Sequence, residues 1–294
     1  MLERPPSPPP ALPSVATAKV SDWCASAHML GLHLYAVIDE LHEGIHRWGK
    51  AIVHDERNLF AERSHEPQAL AIAPRLRLIR PDRLARAANL LHEQSPEQPD
   101  AFLIASSLQL DELAQRLMRR FDVSSAGMEM LLRIWDARVF RALPAALTPS
   151  SARTLLSFGM QALVSDRGGA HCSIDLHEEK DDPLQTMPLS LSQTEENALV
   201  ALAQPDAVLA MVRENAPELL RQLPDGERHA MAEAQMNECL SRGLESPRDH
   251  ALALSLAIVH GPQWWLEPHW QTCIRQARES TLFDAYRMNM MEET

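Results

Sequence analysis

The sequence is short of glycine, cysteine and positive charge, and each shortage removes a class of function. Ten glycines in 294 residues leave little material for loops that cradle phosphate. No G-x-S-x-G elbow, Walker loop or dinucleotide fingerprint is present. The four cysteines, Cys24, Cys172, Cys239 and Cys273, stand far apart with no C-x-x-C pair, which is the usage of reduced thiols and not of a disulfide framework. A net charge of −12 disfavours a phosphate-binding surface and so excludes nucleic acid as the main partner. No stretch reaches the roughly 18 uninterrupted apolar residues of a membrane span, and the N-terminus lacks the basic-then-apolar layout of a signal peptide. The expectation is a cytoplasmic protein with no membrane contact.

What is present has an ordinary globular composition, 45% hydrophobic, and enough length for two modest cores. The chain begins with "RPPSPPPALP", a run that favours extended polyproline II and formally contains P-x-x-P. Residues 1–20 are expected to be a disordered, proline-rich leader.

From Leu32 to about His177 strand and helix signals alternate. "LHLYAVID" (Leu32–Asp39), "RLRLI" (Arg75–Ile79) and "AFLIASS" (Ala101–Ser107) read as strands, the second half-exposed because Arg and Leu alternate at period two. Leu110, Leu113, Leu117 and Phe121 mark one face of an amphipathic helix. "LLRIWDARVF" (Leu131–Phe140) reads as a buried strand running into a helix that is capped by Asp136 and ends near Pro144. Thr148-Pro149 offers another helix start. "MQALVSD" and "HCSIDLH", flanking Gly168-Gly169, read as a hairpin. Residues 21–177 are therefore expected to form a mixed α/β lobe, and 178–190, "EEKDDPLQTMPLS", an acidic linker.

Residues 191–294 read as all-helical. They hold 8 Arg, no Lys and 16 acids, so 8 − 16 = −8 of the chain's −12. That bias suits a basic protein partner better than a nucleic acid. Ser246-Pro247-Arg248-Asp249 combines an N-cap, a first-turn proline and a third-position acid. "ALALSLAIVH", which follows, is apolar nearly all round and reads as a central buried helix stopped by Gly261-Pro262.

Four groups of residues invite a chemical reading. "HEGIH" matches H-E-x-x-H, in which His42 and His46 would bind zinc and Glu43 would activate water. The longer zinc-protease pattern fails, however: its third histidine position is Ile52, and His54 falls two places late. Gly44 also costs the required helix about 1 kcal/mol relative to alanine, so the alternative is a solvated helix. "HCSIDLH" places His171, Ser173, Asp175 and His177 on one strand face, with no second ligand cluster to accompany them, and reads as an exposed face. Arg75, Arg77, Arg80, Arg83 and Arg86 form a local basic strip, most simply a solvated face. Trp264, Trp265 and Trp270 fall within seven residues; tryptophan serves both core anchors and interface hot spots, so the three are candidate partner contacts. No metal and no cofactor is expected.

Taken together, "LYAVID", "AIAPRLRLI", "FLIASSLQLDELAQRLMRRFDV" and "MLLRIWDARVFRALPAAL" resemble the adaptor, or effector-chaperone, family of bacterial type VI secretion systems (Tap/Tec). That family carries an Arg-aromatic-aromatic-Asp-Pro-Arg signature. Here it stands as Arg133-Ile134-Trp135-Asp136-Ala137-Arg138: Ala137 replaces the proline and Ile134 one aromatic, and the Arg-x-x-Asp-x-Arg frame is intact. The resemblance covers roughly Leu34 to Ala162 and extends more weakly to "CLSRGLESPRDHALALSLAIVHGPQW". It implies a non-enzymatic cytosolic protein with an α/β lobe and a helical lobe, whose partners are a secreted toxin effector and a VgrG-type spike protein. On this reading Arg133, Trp135, Asp136 and Arg138 are a structural signature, an ion-pair network at a strand-to-helix junction. The rivals are a zinc-dependent hydrolase using His42, Glu43 and His46, and a scaffold of the same fold with no secreted cargo.

Overall fold

The structure, a computed structural model, describes residues 14–15, 18–40, 48–49, 52–277 and 281–292. It divides into two compact units, Met1–Val200 and Ala201–Thr294. The first is a mixed unit of antiparallel sheet and helix, the second is helical. Because every pairing in the larger sheet is antiparallel, the first unit is α+β, and among the described residues that sheet has none of the parallel crossovers that alternating strand and helix signals can also announce.

Seven strands make that sheet, in the order β1 (Ser14–Val15), β9 (His171–Asp175), β8 (Gln161–Ser165), β5 (Ala101–Ser106), β2 (His33–Ile38), β4 (Arg75–Ile79) and β3 (Val53–Asn58). The central strands are covered on both faces, which is why β2 and β5 are unbroken apolar runs and not alternating ones. One face sends Leu34, Ala36, Ile38, Leu103 and Leu163 against α1 (Ala18–Met29) and α3 (Leu84–Glu93). The other sends Tyr35, Val37, Phe102, Ile104 and Val164 against α4 (Leu110–Arg119), α5 (Ala137–Ala146) and α6 (Pro149–Leu155). Successive side chains of a strand point to opposite faces, so one sequence feeds two cores. A short helix, α2 (Pro67–Ala71), links β3 to β4.

A second sheet has three strands, β10 (Leu189–Leu191), β6 (Asp122–Ser125) and β7 (Met128–Leu131), with β10 parallel to β6. The β6–β7 turn needs positive φ at both central positions, which Ala126 (48°) and Gly127 (80°) supply.

The expected hairpin is β8–β9, and Thr148 caps α6 with Pro149 in its first turn. α5 ends near Pro144 as expected, at Ala146, closed by Leu147 N–H on Leu143 O. Two readings are corrected. The expected buried strand ends at Leu131 as β7; beyond it the chain turns, with Ile134 N–H bonded to Leu132 O and Asp136 N–H to Arg133 O, and the turn carries Ile134 and Trp135 into the core. His171 is buried, not on an exposed face.

Segment 178–190, expected to be a linker, is fastened to the first unit. Arg116 donates to the carbonyls of Glu179 and Lys180 at 2.7 and 3.0 Å. Asp182 accepts from Arg119 and Arg120. The segment then continues into β10. Next begins α7 (Gln193–Asn215), whose Glu195 accepts from the backbone and hydroxyl of Thr148 at 3.0 and 2.9 Å.

The second unit comprises the end of α7, α8 (Pro217–Leu220), α9 (Asp225–Ser241), α10 (Pro247–His260), α11 (Pro268–Gln276) and α12 (Leu282–Glu292). Ser246 caps α10, and Gly261, at φ 94°, ends it. α10 is buried on one side only: Ala253, Leu254, Leu256 and Ala257 face the core, whereas Val259 is 57% exposed. Its acid Asp249 is buried and accepts from the Phe283 N–H at the start of α12, and its buried His250 meets Leu244 O at 2.9 Å.

Candidate functional site: the charged signature and its surroundings

β2 is followed by two consecutive acids, Asp39 and Glu40, both buried. A buried carboxylate requires a cation and hydrogen bonds, and each finds an arginine from another element. Asp39 receives Arg133 Nη2 at 3.1 Å. Glu40 receives Arg77 Nη2 at 3.0 Å, while Arg77 also donates to Glu56 at 2.9 Å and to Trp48 O at 2.7 Å. Arg77, expected on a half-exposed strip, is thus the hub of a buried cluster. Arg80 and Arg83 pair with Asp82 and Arg86 pairs with Glu93 at the surface, which leaves no uncompensated basic strip there.

The signature residues are brought together. Asp136 caps α5 by accepting the Arg138 N–H at 2.9 Å and binds the Arg138 guanidinium in a two-pronged pair at 2.9 and 2.7 Å. Arg133 stands 3.8 Å from the same carboxylate and lies over the Trp135 ring at 5.9 Å. Trp135 is packed edge-on against Phe60 and Phe121. Burial pushes the Asp136 carboxyl up, but the hydrogen bonds and charge of Arg138, with Arg133 behind them, outweigh it and hold the carboxyl below its usual range. An anion so neutralised is a fixed strut with no proton to exchange near neutrality.

A second network, which the sequence reading missed, centres on Arg120, wholly buried. Its guanidinium donates to Asp182, Ser157 O and Oγ, Leu155 O and Arg116 O. Burial raises the Asp182 carboxyl, and Arg120 and Arg119 more than reverse it. Nothing in the local pattern of "LMRRFDV" distinguishes Arg120 from its exposed neighbours except its place on the apolar face, three residues after Leu117. Glu195 is the third such group: burial raises it, yet donors from Ser151, Ser192 and Thr148 bring its carboxyl from 4.5 down to about 2.

His171 and Ser165 make a buried pair, with His171 Nδ1 3.2 Å from Ser165 Oγ and Gln94 donating to the same hydroxyl. Burial, and after it the nearby His92, hold the imidazole below its ordinary value. With the two residues 1% and 5% exposed, a substrate reaches them only if the hairpin opens. The pair cements α3, β8 and β9. His42, Glu43 and His46 lie outside the described residues, as does most of the proline-rich leader. Among the described residues, no group of three or more His, Cys, Asp or Glu side chains is arranged to hold a metal ion, and no helix is long and apolar enough to cross a membrane. The four cysteines are buried free thiols.

The tryptophans separate. Trp264 and Trp270 are 2% and 3% exposed and belong to the core of the second unit, so neither offers a docking surface in this state. Trp264 donates to Gln235 Oε1 at 3.0 Å, and Trp270 stacks on Tyr286. Their large apolar rings pack between α9, α11 and α12, which wins over exposure. Trp265 alone is half-exposed, with Arg242 over its ring at 5.5 Å.

Residues 34–154, less than half of the chain, match the family model described as Domain of unknown function (DUF4123). No curated protein and no solved structure matches the chain. The matched span runs from β2 to α6 and contains the whole signature, the Asp39 and Glu40 clusters and Arg120.

Proposed function

We propose that this chain is a cytosolic, non-enzymatic adaptor or chaperone. It binds a secreted type VI effector, near the effector's N-terminal region, and brings it to a VgrG-type spike protein. The observation that carries the reading is a coincidence of position. The match at 34–154 falls on the residues that resemble the type VI adaptors, the Arg-x-x-Asp-x-Arg frame of Arg133, Asp136 and Arg138 included. The use of these charges as struts supports the reading, since an adaptor needs a rigid frame and no reactive carboxylate. The acidity of residues 191–294 suits a basic segment on the partner and steers encounter more than it tightens the complex.

Co-expression with the product of the adjacent gene and with the encoded spike protein is the test. A stoichiometric complex with either is expected. If the chain purifies alone from both, the adaptor reading fails. Elemental analysis of protein prepared without chelator addresses the hydrolase: stoichiometric zinc that is lost in His46→Ala would replace the adaptor with a metal enzyme.

A further inference from the structure

α10 is apolar on more sides than its own unit covers. Arg248, Ala251, Leu252 and Ser255 recur at i, i+3, i+4 and i+7, so they form one stripe about 10 Å long, at 1.5 Å per residue. Ala251 and Leu252 flank the core without being fully buried in it. The stripe lines a groove of about 380 Å³ whose opposite wall is the last turn of α7, with Met211 and Asn215, and whose end is Phe283 of α12, 45% exposed. Two of the wall side chains donate to their own helices, Asn215 to Met211 O and Ser255 to Ala251 O. Arg248 differs. It is exposed at the mouth of the groove, and among the described residues no carboxylate pairs with its guanidinium.

We infer that this groove is the seat of an amphipathic helix from the partner, two to three turns long. That helix presents apolar side chains to the groove and one carboxylate to Arg248. The choice of a helix follows from the walls. Away from the helix ends their backbone groups are bonded within α7 and α10, so the walls offer mainly side chains, and an occupant must satisfy its own backbone. Ala216, Ala251 and Ser255 are small enough to admit a close approach. The choice of an acidic residue follows from charge: the groove lining holds one cation and no acid, although the unit around it is acidic. Beside the groove, Asp249 at the start of α10 accepts from the Phe283 N–H at the start of α12. This inference deepens the adaptor reading and rests on it for the partner's identity, not for the groove's chemistry.

Two arms keep the two claims apart. In the first, the full chain is titrated against two fluorescein-labelled helical peptides that share leucines at i, i+3 and i+7 and differ only in Glu or Lys at the position facing Arg248. The Glu peptide is expected to bind at least tenfold tighter, and Arg248→Glu to reverse the preference. Ser255→Arg, which fills the groove, is expected to abolish binding of both, with circular dichroism confirming the fold. Equal binding of the two peptides, binding of neither, or insensitivity to both substitutions overturns the groove. In the second arm, capture of the co-expressed neighbouring product is compared between the parent and the variant that combines Arg248→Glu with Ser255→Arg. Capture by the parent and loss in the variant supports the assignment. Equal capture by both overturns the groove as the effector's seat and leaves the adaptor standing, whereas no capture by the parent sinks the adaptor. Concentration-dependent dimerisation of the parent that Arg248→Glu abolishes would make a second copy the occupant and overturn the partner-helix assignment.

Discussion

The two units solve the same problem with different means. The first buries charge: Arg120, Arg77, Glu40, Asp136 and Asp182 are all inside it, Arg120 with Asp182 and Arg77 with Glu40 paired across a long stretch of sequence and Asp136 paired with its neighbour Arg138. The second buries mostly rings and aliphatic chains. Its interior polar groups, Gln235, Asp249 and His250, are few and meet backbone or indole partners. Ion networks specify which elements meet, because a buried charge tolerates only its own partner. Apolar helix packing fixes periodicity first and detail second. The difference places geometric precision in the sheet unit and leaves the helical unit with a surplus apolar face.

The largest expected effect tests the charged side. Asp182→Ala leaves Arg120 buried without its carboxylate and costs the first unit about 4 kcal/mol, read as a shift of its urea transition. A loss below about 1 kcal/mol would mean that the carbonyls around Arg120 suffice, and the contrast would weaken. Next comes the apolar side. Trp264→Ala removes a buried ring and lowers the stability of the second unit by roughly 3–4 kcal/mol, whereas Trp265→Ala, half-exposed, changes it by about 1 kcal/mol or less. Equal effects would show that the two rings share one environment.

Acid sharpens the comparison further. Glu195 has a folded value, about 2, below its ordinary 4.5, so its ionised form stabilises the first unit above pH 4.5. That contribution disappears as pH falls from 4.5 toward 2, and amounts to about 3 kcal/mol. A pH series of denaturation curves should show the loss in the parent and a flatter profile in Glu195→Gln. The smallest effect separates capping from ion pairing: Asp136→Ala should cost about 2 kcal/mol and Asp136→Asn roughly 1, because asparagine still accepts the α5 N-terminal N–H. If Asn is as damaging as Ala, Arg138 and Arg133 matter more than the cap.

Much of the architecture was legible because it is local. The caps at Asp136, Thr148 and Ser246, the β8–β9 hairpin and the change to helix beyond residue 191 each occupy a few adjacent residues. What escaped was set by long-range partners. Arg77 looked solvated because alternation is blind to Glu40, 37 residues earlier. His171 looked exposed because alternation within the hairpin does not show that His92, far away in sequence, packs against its ring. Tryptophan spacing cannot say which ring faces inward, since three rings within seven residues span both sides of a 3₁₀ turn and a helix start. The groove on α10 was half visible: an all-round apolar helix implies cover on every side, and only the structure shows which side has none within the unit.

The clasp between Arg120 and Asp182 also sets how much of the chain must be made before the first unit can close. A nascent chain emerging from the ribosome exposes β2 through α6 early, yet Arg120 has no anion until residue 182 appears. The parallel partner of β6 arrives only with residues 189–191, and the Thr148 cap receives its carboxylate only at residue 195. The segment recognised by family, 34–154, is therefore not the segment that folds: β8 and β9 of the main sheet also lie beyond it. A chain released at residue 154 would hold a buried guanidinium with nothing to neutralise it, and the smallest fragment able to close the first unit must reach at least Glu195.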